Sequence, residues 1–114
     1  MSMRAFQRYL CSMIRECYGD GNVFGMEIGV YRGETASRIL GEFSQLRMVE
    51  VDPWRDRDPS HPAHAQFGDL PFGQQRWDEF YAEAMAALGP FGSRVIVQRM
   101  KSDEAITSWP DEQF

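Results

Sequence analysis

Apolar residues recur along this chain with two different periods. Between residues 3 and 17, Phe6, Tyr9, Leu10, Met13, Ile14 and Cys17 fall three and four apart, while Arg4, Arg8, Arg15 and Glu16 take other faces. That spacing predicts an amphipathic helix with one buried stripe, Cys17 within it as a buried free thiol. Gly19-Asp20-Gly21-Asn22 ends the helix with residues that tolerate tight-turn angles. The pattern then shortens. Val23 to Val30 is a mostly apolar run, interrupted by Gly25 and ended by Gly29, as expected of a strand covered on both faces. Helix 34–43 follows, with Ala36, Ile39, Leu40 and Phe43 on one side. Leu46 to Val51 is a second strand, closed by Asp52-Pro53, since proline cannot donate to a sheet ladder.

Residues 53–72 read as loop, broken by Pro53, Pro59, Pro62 and Pro71, with Arg55-Asp56-Arg57-Asp58 as a solvated charge run. Trp77, Phe80, Tyr81, Ala84, Met85 and Leu88 then give a clean helical stripe, stopped at Gly89-Pro90. Arg94 to Gln98 is a third strand, and Ser102 is placed to cap a short helix 103–108. Helix and strand alternate throughout, so the expected class is α/β: a parallel sheet flanked by helices, in one domain spanning residues 1–114.

Composition narrows the function classes. A formal charge of -5 disfavours a nucleic-acid footprint, which needs a basic surface. The same acidity disfavours anionic membranes, and no apolar run approaches the roughly 18 residues of a spanning helix. The expected location is cytoplasmic. Cys11 and Cys17 lie too far apart on one helix to bridge, and no Cys/His pair has metal-ligand spacing. His61 and His64 sit in the proline-rich loop with no partner motif.

Candidate chemistry concentrates at two strand ends. In Glu27-x-Gly29-x-x-x-Gly33, Gly29 permits a sharp turn and Gly33 lets the next helix start close to a ligand, while Glu27 can hold a cationic group or a turn amide. A phosphate-binding loop needs four residues between its glycines and a lysine, but three intervene here and Glu34 stands in the lysine's place. The G-x-G-x-x-G dinucleotide pattern is also absent. Asp52 ends the second strand 23 residues after Gly29, where a carboxylate can accept ribose hydroxyls in the same crevice.

Glu27 to Thr35, followed by Val49-Glu50-Val51-Asp52-Pro53-Trp54, resembles class I S-adenosylmethionine-dependent methyltransferases, specifically the small-molecule group whose second strand ends in Asp-Pro-Trp. Val95 to Ala105 is similar to that family's third strand and following helix start, and Trp109 to Phe114 to the approach to its fourth strand. The resemblance implies a Rossmann-like sheet with strand order 3-2-1, S-adenosylmethionine as cofactor and a small-molecule methyl acceptor. It places Gly29 and Gly33 at the methionine end of the cofactor, Glu27 near its amino group, Asp52 on the ribose, and Lys101 and Ser102 beside the adenine. Trp54 is the best candidate for a pocket wall. Tyr31 replaces the family's middle glycine, so its ring must point away from the cofactor or over it. Lys101 stands where many members carry an acid.

The family continues past the position of Phe114 into strands that build the acceptor pocket. The expectation is therefore a partial, three-stranded cofactor-binding half that is inactive alone, with no catalytic residue identified. Its first strand would be an open edge, paired in a homo-oligomer or with a partner. A non-catalytic cofactor-binding or interaction module is the competing reading. A nucleotide-dependent oxidoreductase is a weaker third, because the glycine spacing fits it poorly.

Overall fold

The computed structural model describes residues 4–19, 21–56 and 72–109. Within them the elements alternate as expected: α1 (Ala5–Tyr18), β1 (Val23–Ile28), α2 (Glu34–Glu42), β2 (Leu46–Val51), α3 (Gln74–Leu88), a 3-10 segment (Gly89–Arg94), β3 (Val95–Gln98) and α4 (Ser102–Thr107). Both strand pairings are parallel and β2 lies between β1 and β3. This is the expected order 3-2-1 counted from the other edge. Among the described residues β1 therefore has one strand neighbour. His61 and His64, with most of the proline-rich loop, lie outside the described residues, as does the run from Pro110 onward.

Strand alternation sends Leu46, Met48 and Glu50 to one face of the sheet and Val49 and Val51 to the other. The first face is covered by α1, α2 and α3. There Leu40, Trp54, Phe80 and Ala84 are almost completely buried, with Val23, Met48, Val95 and Val97 packed beneath them. The second face is thinner: Val49, Val51 and Ala105 of α4 form its centre, with Phe24, Met26, Met100 and Trp109 around them. Arg94 ties the first layer to the sheet. Its guanidinium donates to the carbonyls of Leu40 (3.0 Å) and Phe43 (2.7 Å), satisfying acceptors that the end of α2 leaves free.

Several sequence expectations need correction. In α1 the docked residues are Gln7 and Cys11, flanked by Leu10 and Ile14, whereas Phe6 and Tyr9 are more than 60% exposed. Gln7 lies on the docked face: its Nε2 donates to Thr35 Oγ1 of α2 (3.5 Å), while its Oε1 accepts from Arg4 N at the helix's own cap (3.1 Å). Cys17 is exposed and Cys11 is the buried thiol, its ionisation pushed up chiefly by that burial. Ser102 is the first residue of α4 rather than its cap, a place taken by Lys101. Asp56 is no solvated bystander: its carboxylate accepts from Phe72 N, Gly73 N and the indole of Trp77, fixing the start of α3.

Candidate functional site

The carboxyl ends of β1 and β2 are joined by the turn that carries the glycine motif. Gly29 N donates to Val51 O (2.9 Å), extending the strand pairing one step past β1. The chain then turns with Gly29 at φ 89°, Tyr31 at φ 60° and Gly33 at φ 77°. Those angles are cheap for glycine and costly for tyrosine, so something must hold Tyr31 in place. Asp52 does so. Its Oδ2 accepts from both Val30 N and Tyr31 N at 2.9 Å, and its Oδ1 accepts from Trp54 N at 2.8 Å. One carboxylate thus satisfies three backbone donors in a place only 8% exposed.

This geometry revises the role that spacing suggested for Asp52. Most of its acceptor capacity is already committed to the turn, so it cannot take both hydroxyls of a ribose without releasing backbone donors. Trp54 also moves from wall to core. It is fully buried, stands edge-on to Tyr81, and donates its indole N–H to the Tyr31 carbonyl at 2.7 Å. Tyr31 turns its ring onto α3, 4.5 Å from the Phe80 ring centroid and edge-on to Trp77.

The two glycines separate in purpose. A Cβ on Gly33 would lie 3.2 Å from Ala84 Cα, so this glycine exists to let α3 approach the start of α2. Among the described residues a Cβ at Gly29 would meet nothing within 4 Å. The open space at the turn is therefore at Gly29, adjoining Glu27.

Glu27 and Glu50 stand directly opposite one another in the β1–β2 register. Glu50 is fully buried and Glu27 is half-buried. Among the described residues no donor reaches either oxygen of Glu50 or Oε1 of Glu27, and each carboxyl has the other as its neighbour. Burial, followed by the neighbouring Glu27 carboxyl, pushes Glu50 up to about 10. Burial also raises Glu27, with Asp52 adding repulsion and Glu50 opposing. Glu50 was not among the sequence candidates. The signal was available: Glu27 precedes the turn glycine by two, Glu50 precedes Asp52 by two, and aligning the strand ends makes them cross-strand partners.

Lys101 lies at the same end of the sheet, lining a depression of about 150 Å³ with Pro53, Arg55, Arg99, Met100 and Glu104. Ser102 is half-buried behind it. The site residues thus divide into an acidic portion between β1 and β2 and a more basic rim by β3. No group of three or more His, Cys, Asp or Glu side chains among the described residues could hold a metal ion, and no described helix is long and apolar enough to cross a membrane. No protein-family model matches the chain, and no curated protein matches it.

Proposed function

We propose that this chain carries the cofactor-binding portion of an S-adenosylmethionine-dependent methyltransferase acting on a small-molecule acceptor. The observation that carries the reading is the turn at Gly29, which among the described residues is open and bordered by carboxyl groups with unpartnered oxygens. Ligands of open parallel sheets gather at the carboxyl ends of the strands. Phosphate is a poor fit at this end, because Glu27, Glu50 and Asp52 crowd it with acids and Glu34 opens α2. A cofactor with an ammonium and a sulfonium is a good fit. Glu27 reaches the amino group, Gly29 admits the methionine portion, and Lys101 and Ser102 border the space left for the base. Asp52 contributes by fixing the turn.

Calorimetry on the folded chain tests this reading. S-adenosylmethionine and S-adenosylhomocysteine should bind, and the nicotinamide dinucleotide should not. A well-folded chain that binds neither sulfur compound contradicts it.

A second reading, an interaction module that pairs through β1, is favoured by one observation. β1 has a single strand neighbour among the described residues, and Ile28 at its end is 53% exposed. Sedimentation equilibrium should then show self-association that a proline at Met26 abolishes. A monomer at all concentrations removes this reading.

A further inference from the structure

Two carboxyl groups facing each other in a buried, in-register pair cannot both be ionised without strong mutual repulsion. As carboxylates the pair contains no donor, and among the described residues Glu27 Oε1 and both Glu50 oxygens have no other partner. A single proton resolves both problems, turning one carboxyl into a donor for the other and halving the charge. We propose that Glu27 and Glu50 act as one receptor for positive charge, filled by a shared proton in the free chain and by a ligand's primary ammonium when the crevice is occupied.

The exchange is balanced in charge. Two carboxylates with one proton carry a net charge of minus one, and so do two carboxylates with one ammonium. The displaced proton leaves to solvent as the ammonium enters, and no covalent bond of the ligand changes. Half-buried Glu27 provides the route, next to the open space at Gly29. Among the described residues no cation bears on either carboxyl. Val97 of β3 stands beside Glu50 in the register. On α2, which covers this face, Glu34 is turned to Arg4 at 3.3 Å. Asp52 is the remaining acid that bears on Glu27, and its oxygens are committed to the turn.

The shared proton does not depend on the cofactor reading, while the ammonium exchange rests on it, so two experiments separate them. For the proton, urea unfolding is followed from pH 5 to pH 9 for the natural chain, Glu50→Gln and Glu27→Gln. The raised acid binds its proton more tightly folded than unfolded, so stability of the natural chain falls as pH rises above the ordinary glutamate range. Both variants should flatten that fall. Profiles parallel to the natural chain's in both variants overturn the shared proton. For the exchange, calorimetry near pH 7.5 in buffers of different ionisation enthalpy compares S-adenosylhomocysteine with methylthioadenosine, which lacks the ammonium. About one proton should be released with the first and none with the second. Binding of the first without proton release overturns the exchange. Absence of any binding rejects the cofactor reading and the exchange with it, and leaves the shared proton to the unfolding profiles.

Discussion

Two residues apart, Glu50 within β2 and Asp52 just past its end are both buried acids, yet they live in opposite circumstances. Asp52 accepts from three backbone N–H groups and holds a tyrosine in left-handed backbone. Glu50 is more deeply buried, finds no donor for either oxygen among the described residues, and faces another acid. A carboxylate ringed by donors organises structure. A carboxyl left without donors weakens the fold, and is the kind of group a ligand or a proton can satisfy. The difference separates the scaffold of this site from its receptor.

The largest expected effect comes from breaking the scaffold. Asp52→Asn keeps the shape but offers one acceptor oxygen and turns an amide N–H₂ toward a backbone donor. It should cost about 3 kcal/mol, as for a lost charge-assisted hydrogen bond plus an unsatisfied buried donor, read from the urea midpoint. Gly33→Ala should follow at about 2 kcal/mol, from left-handed strain and contact with the α3 backbone. Gly29→Ala bears the strain without the contact, so a smaller loss of about 1 kcal/mol is expected in the same assay. Equal losses at the two glycines would remove the distinction between a packing glycine and an open one.

Glu50→Gln should move the other way. At pH 8 it should raise stability by about 1 kcal/mol, because the amide needs no ionisation and can donate to Glu27. At pH 5 the gain should shrink, since the acid is then closer to protonated in the unfolded chain as well. A loss like that of Asp52→Asn at both pH values would collapse the contrast between the two acids. The smallest effect is assigned to Phe6→Ser on the outer side of α1, within about 0.5 kcal/mol by thermal melting despite the loss of an aromatic ring.

Much of this was legible in the sequence, for identifiable reasons. Buried parallel strands are apolar runs, and Gly29 and Asp52 are strand-end residues at a separation that fits one crevice. The structure brings them together, with Asp52 bonded to the two residues after Gly29. Spacing reveals proximity without revealing which atoms meet, and it does not show that Asp52 accepts from three backbone donors around the turn. Glu50 escaped notice because a lone acid in an apolar run stands out only once the register sets it opposite Glu27. On α1, residue type and burial part company. Gln7, polar by type, docks with a hydrogen bond to Thr35, while Phe6 and Tyr9 lie outside. Trp54, like Trp77 a packing tryptophan, has a left-handed backbone at φ 46° that turns its indole into the core.

Carboxyl-carbon NMR of the glutamates, assigned through Glu27→Gln and Glu50→Gln, examines the pair most directly. At pH 7 the free chain should show one proton held between Glu27 and Glu50, with the second ionisation well into the alkaline range. Two glutamates that both ionise near their ordinary value of about 4.3 would contradict the receptor, and with it the division between scaffold and site.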